Sequence, residues 1–170
     1  MDPPVVRDAR LAGWERVAET TERPFVAGPV SVTARTVRYE PAADPEPRPF
    51  FFASRLRIRP DVPPNALLTR IVERGARDGF RETLAERDVD RLDHRGDREV
   101  LVDDPAASPA TCSTFRGRCV VAGDPVPIEA LLAVWEAGEY LLAGGAYRID
   151  DDPAAARTRL LGLVRAVRAR

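Results

Sequence analysis

Residues Pro127 to Asp150 read PIEALLAVWEAGEYLLAGGAYRID. Two apolar arms flank the segment Glu136-Ala137-Gly138-Glu139. In the first arm Ile128, Ala130, Leu132 and Val134 share one parity, while Leu131, Ala133 and Trp135 share the other. Successive side chains of a strand point to opposite faces, so an arm apolar on both parities belongs inside a sheet covered on both sides. A hairpin turning through Gly138 sets Trp135 opposite Tyr140 as a cross-strand aromatic pair. The diglycine Gly144-Gly145 falls inside the second arm, where glycine marks a bulge or the close approach of a backbone or a ligand. A phosphate loop needs its glycines between a strand and a helix N-terminus. Here Ala146, Tyr147 and Arg148 continue the strand. The expectation is therefore clearance for a helix side chain or for Trp135. If a ligand comes close instead, it approaches Trp135, Tyr140, Gly144 and Gly145.

Outward from this hairpin the chain punctuates itself. Asp150-Asp151-Asp152-Pro153 has the acid N-cap and first-turn proline of a helix start, and Leu160, Leu161, Val164 and Val167 form its apolar stripe. The arginines Arg157, Arg165, Arg168 and Arg170 are left for solvent. Toward the N-terminus, Phe50, Phe52, Leu56 and Ile58 alternate with Phe51, Arg55, Arg57 and Arg59, a strand with one core face. Asn65 stands at an N-cap position before Leu67, Leu68, Ile71, Val72 and Ala76, with Gly79 as the C′ residue of that helix. In VSVTARTVRYE the apolar parity slips near Arg35-Thr36, which an inserted bulge residue would explain. A first strand begins near Trp14, and ERPFVAG makes the turn after it. Between Arg81 and Asp104 the pattern weakens: RETLAERDVDRLDHRGD is a helix extension or an irregular excursion, and REVLVDD reads as a short strand. The reading is an α+β fold: a flexible tail over 1–10, then one domain over 11–170. That domain is a single, largely antiparallel sheet covered by helices, in the order β-β-β-α-β-β-β-α.

Composition narrows the function classes. The chain has 170 residues, enough to bury roughly 70% of its unfolded surface as one domain. Lys+Arg 26 and Asp+Glu 27 give a net charge of −1, so no overall field draws it to nucleic acid or anionic lipid. No stretch approaches the roughly 18 apolar residues of a membrane span, and the first residues lack a signal-peptide core. The expected location is the cytoplasm. Cys112 and Cys119 lie an odd number of positions apart, which places them on opposite faces of one strand as two buried thiols. A hairpin at Gly117 is the alternative that would bring them together.

The last hairpin, LLAVWEAGEYLLAGGAYR, together with GWERVAET and VSVTARTVRYE, resembles a haloarchaeal family of uncharacterised domains whose members often carry an N-terminal lipoprotein signal. That resemblance brings no catalytic residues, and these residues contain no lipobox. The order of strands and helices is also similar to the Mog1/PsbP type of α/β/α sandwich, a likeness of fold that implies no activity.

No constellation of catalytic groups is visible along the chain. Asp88, Asp90, Asp93, His94 and Asp97 lack the spacing of a calcium loop and are interleaved with arginine, as in a solvated loop laced with ion pairs. His94 is the single histidine, and none of Ser54, Ser108 and Ser113 sits in a nucleophile elbow. No cofactor and no metal site is expected. Arg55, Arg57 and Arg59 share a strand face and could hold an anion or an acidic partner. The chain thus reads as a non-catalytic binding or protein-interaction module for a protein or small ligand, with no nucleic acid expected and the oligomeric state open. The alternative is an enzyme whose carboxylates and arginines converge only in the fold.

Overall fold

The computed structural model describes residues 1–150 and 152–169, with backbone alone at 24–27. Asp151 and Arg170, named above at the helix start and among the solvent arginines, lie outside the described residues. The elements are β1 (Val5–Val6), β2 (Trp14–Ala27), β3 (Val30–Pro41), β4 (Phe50–Arg59), α1 (Ala66–Glu86), β5 (Val89–Val100), β6 (Ala110–Val121), β7 (Asp124–Glu136), β8 (Tyr140–Arg148), α2 (Pro153–Arg165) and β9 (Val167–Arg168). Seven strands form one antiparallel sheet in the order β2-β3-β4-β8-β7-β6-β5, while β1 and β9 pair separately. The molecule is α+β, dominated by its antiparallel sheet.

The opening hairpin, β7 and β8, lies at the centre of this sheet, and both of its parities are buried. Leu131, Ala133 and Leu141 pack in one cluster with Leu160, Leu163 and Val164 of α2. Ile128, Ala130 and Leu132 pack in another with Leu68, Val72 and Phe80 of α1. Helix α1 buries Leu68, Val72, Ala76, Phe80 and Leu84, one residue per four. Full burial of a Leu or Phe side chain contributes about 1.5–3 kcal/mol, so this stripe holds the helix far more firmly than intrinsic propensity does. Asn65 caps it by accepting from Leu68 N at 3.0 Å, and Asp152 caps α2 by accepting from Ala155 N at 3.0 Å.

Several expectations need correction. The slip in β3 is not a bulge, because its register with β4 runs unbroken from Ser31↔Arg59 to Tyr39↔Phe51. Val32 and Ala34 instead face the α1 cluster and Val37 and Tyr39 the α2 cluster, so the covered face changes along one regular strand. The bulges sit in β2, between Arg16 and Ala18 and between Glu22 and Phe25. That strand continues through the segment expected to turn. Trp135 and Tyr140 are not a cross-strand pair. Glu136 is opposite Tyr140 and Trp135 opposite Leu141, because the loop holds three residues, Ala137 to Glu139. The shift of one places the two aromatics on opposite faces.

Gly79 is not the helix stop; α1 runs seven residues further, to Glu86, with Arg87 as C-cap. Leu67, expected on the buried stripe, is 70% exposed. The indistinct middle is a complete strand, β5, so four strands rather than three separate the helices. Only its ends, Val89 and Val100, are buried, and two bulges break its alternation. A charged edge strand needs no apolar period, since its place is set by the ladder to β6 and its charges discourage pairing with another molecule. Within the first ten residues, expected as a tail, β1 pairs with β9 and Val6 is buried. Cys112 and Cys119 are free, buried, and in the two clusters on opposite faces of β6.

Candidate functional site

Seven strands at about 4.8 Å spacing make a sheet nearly 30 Å wide, whereas one helix covers about 10 Å. A single helix therefore leaves part of a face bare. On the α1 face that part lies over β2, β3 and β4, and α1 meets it along Gly75, Ala76, Gly79 and Thr83. The result is a groove of about 500 Å³. Its floor is apolar, with Phe50, Phe52, Leu132 and Leu142; its sheet wall carries the short side chains Ala18, Thr20, Ala34 and Thr36. This volume is within the range of small-molecule sites, which combine an apolar floor with polar groups around it.

The groove is braced at both ends of α1. Near the N-terminus, the Tyr140 and Thr69 hydroxyls are 2.7 Å apart. Past the C-terminus, Arg87 pairs with Glu40 and lies 4.0 Å from the Phe50 ring centroid. Between the braces, Phe80 reaches Phe52 with ring centroids 5.6 Å apart. Its polar groups lie on the walls: the hydroxyls of Thr20, Thr36, Thr83 and Ser54, with Thr36 and Ser54 2.7 Å from one another and Ser54 itself buried, and Arg38. The Arg38 Nε is buried without a hydrogen-bond acceptor among the described residues; Glu40 is the nearest carboxylate, at 3.8 Å. Glu22, Glu82 and Glu86 complete the rim.

The opposite face carries the densest electrostatic feature of the molecule. Glu129 of β7 is 1% exposed. Arg157 of α2 donates Nε to its Oε1 at 2.7 Å and Nη2 to its Oε2 at 2.9 Å. The Arg116 Nε donates to Oε2 at 3.2 Å, and the Tyr147 hydroxyl donates to Oε1. Burial would raise this carboxyl, but the bonds from Tyr147, Arg157 and Arg116 outweigh it and hold it below its ordinary 4.5. Burial and the adjacent carboxylate push the Tyr147 phenol well above its ordinary 10. Glu, Arg and Tyr do converge here, as an active site in the fold would require. Each is nevertheless committed: a carboxylate with four donors has no lone pair left to take a proton, and the phenol does not ionise near neutrality. The node fastens α2 to the sheet.

A family model described as Domain of unknown function (DUF6517) matches residues 3–168. The chain belongs to this family. No curated protein matches the chain, and neither does any solved structure. The DUF6517 match covers every strand of the sheet and both helices, so groove and charged node alike lie inside the family's domain.

In this DUF6517 domain the residues singled out from the sequence disperse. Trp135 is buried on the α2 face; Tyr140 is buried on the α1 face, braced by Thr69. Gly144 and Gly145 are crowded by neighbouring backbone: a Cβ on Gly144 would run into Leu131 O, and one on Gly145 into Phe50 O and within 3.1 Å of Leu160 Cδ1. The clearance therefore serves the adjacent strands more than Trp135. Arg55 pairs with Glu139 at 2.6 Å, whereas Arg57 and Arg59 are exposed and without an ion-pair partner among the described residues. Asp90 pairs with Arg118 and Asp93 with Arg95 along β5, a strand rather than the expected loop. His94 Nε2 is 2.7 Å from Asp97 Oδ1, which also accepts from Ser113 Oγ at 2.6 Å. The order is wrong for a nucleophile relay, since the carboxylate stands between serine and imidazole.

What sequence reading missed was Glu129. Its only signal was an acid inside an otherwise apolar arm, and a buried acid implies partners elsewhere in the chain. The groove had one signal too, Gly79 inside a helical period. A Cβ there meets nothing within 4 Å, so no packing contact requires glycine. Gly79→Ala is expected to stabilise the fold by about 0.5–1 kcal/mol, through helix propensity alone. A urea midpoint unchanged or lowered would show that Gly79 has a structural role in α1.

Proposed function

We propose that this domain is a non-catalytic binding module whose ligand is a small, largely apolar molecule lying in the groove between α1 and strands β2 to β4. The layers are read as helix, sheet, helix, in the manner of the Mog1/PsbP-type sandwich, in a protein of haloarchaeal kind working in the cytoplasm. Among the described residues no helix is long and apolar enough to cross a membrane. The observation that carries the reading is the groove itself, about 500 Å³ in volume, with a phenylalanine and leucine floor and braced at both ends of α1. A ligand with an apolar body displaces water from the phenylalanine floor. The three rim glutamates disfavour a ligand with several negative charges.

The test uses the neutral probe N-phenyl-1-naphthylamine, followed by fluorescence. One saturable site is expected on the intact chain. Gly79→Leu, which points a side chain into open groove, should abolish it while the circular dichroism spectrum stays native. Equal binding to Gly79→Leu, or no saturable binding to the intact chain, would end the proposal.

A further inference from the structure

On the α2 face, beside the Glu129 node, a second concavity of about 360 Å³ opens against the β5 edge, lined by Arg95, Gly96, Asp97, Arg98, Thr114, Arg116, Glu129 and Arg157. The register builds it. Gly96 stands opposite Thr114 and Arg98 opposite Cys112, while Arg116 stands opposite both Asp93 and Glu129. Cys112 belongs to the cluster on the α2 face, so Arg98, Thr114 and Arg116 share that face with α2. We propose that this concavity is a binding site for a phosphate-class oxyanion, held by Arg98, Arg116 and Arg157.

The argument rests on which donors are used and which remain. Glu129 occupies Arg157 Nε and Nη2 but only the Nε of Arg116. The outer nitrogens of both guanidiniums stay available, and both side chains reach solvent, at 49% and 36% exposure. One buried carboxylate thus fixes two cations in place, and their remaining N–H groups are oriented before any ligand arrives. Holding the donors in advance removes much of the ordering cost of binding. Arg98 has no ion-pair partner among the described residues, and Arg95 is matched by Asp93. The Asp97 carboxylate is engaged by Ser113 and His94. Three cations facing one buried, saturated anion leave a local surplus of positive charge. A planar carboxylate is satisfied by one guanidinium fork. Donors from two strands and a helix, joined by the Thr114 hydroxyl, suit a tetrahedral dianion, which accepts from several directions at once.

The ligand is either a free inorganic anion or the phosphate group of a larger molecule. Isothermal titration of the full chain at matched ionic strength separates these, with inorganic phosphate in one arm and phenyl phosphate in the other, and chloride as the reference. Saturable binding of inorganic phosphate is expected, weakened at least about 10-fold by Arg98→Ala, which leaves the Glu129 node intact. Arg57→Ala, an exposed arginine outside the concavity, should change nothing. Tighter binding of phenyl phosphate than of inorganic phosphate, with the same dependence on Arg98, assigns the site to a phosphate ester. Equal affinity assigns it to the free ion. Binding untouched by Arg98→Ala, binding lost equally in Arg57→Ala, or none above the chloride reference would each overturn the proposal. The groove probe should bind Arg98→Ala as it binds the intact chain, so the two sites stand or fall separately.

Discussion

Glu129→Gln is expected to destabilise the fold by about 2–4 kcal/mol, a large share of the stability of an ordinary domain. The substitution keeps the shape of the side chain but removes its charge. It also turns two amide hydrogens toward guanidinium and phenol donors that need an acceptor. The arginines can swing partly into water, which keeps the loss below that of a fully buried pair. The dependence on pH has a definite sign. The folded carboxyl titrates below its ordinary 4.5, so its contribution is complete above that value and is lost as pH falls through the folded value. The difference in urea midpoint between the intact chain and Glu129→Gln should hold steady near neutrality and shrink on acidification. A difference below about 1 kcal/mol at neutral pH, or one that grows in acid, would mean that the node does not anchor α2.

Gly145→Ala should cost about 3 kcal/mol or more, the upper range for forcing atoms into a packed interior. The added methyl would meet the backbone carbonyl of Phe50 on β4 and the tip of Leu160 on α2. A flexible side chain can turn aside; the carbonyl of Phe50, which is paired with Ala146 on β8, cannot move without disturbing that ladder. Gly162→Ala is the matched comparison. Its Cβ would lie 3.7 Å from an Arg10 guanidinium nitrogen, an ordinary contact, and alanine is the better helix former. Gly162→Ala should therefore be neutral or stabilising. Thermal unfolding of the pair distinguishes the two readings of the diglycine. Equal melting temperatures would mean that β8 has room at Gly145 and that close backbone approach is not the reason for glycine there.

Much of the architecture was legible because burial writes a period into the chain. The double-sided arms of β7 and β8 and the caps at Asn65 and Asp152 each follow from local chemistry. Strand β4, expected to have one core face, instead buries Phe51 and Ala53 against the α2 cluster as well as Phe50 and Leu56 against the α1 cluster, because both helices reach its first half. The failures share a cause as well. In β3 a change of covered face imitates a bulge, because parity records only which side is buried and not which helix buries it. A one-residue difference in loop length sends Trp135 and Tyr140 to opposite faces. In β5 pairing without burial leaves no period at all.

By itself the sequence determined that the arms of β7 and β8 are strands buried on two faces and where each helix begins. Those properties are local, set by side-chain alternation and backbone capping within a few residues. That Cys112 and Cys119 lie on one unbroken strand was left for the structure to decide. Tertiary structure alone decided that Glu129 would be met by Tyr147, Arg157 and Arg116, and that α1 would leave a groove over β2 to β4. Both depend on which strands become neighbours and on how much of a wide sheet one helix can cover. Long-range pairing settles such quantities, and no short window of residues contains them.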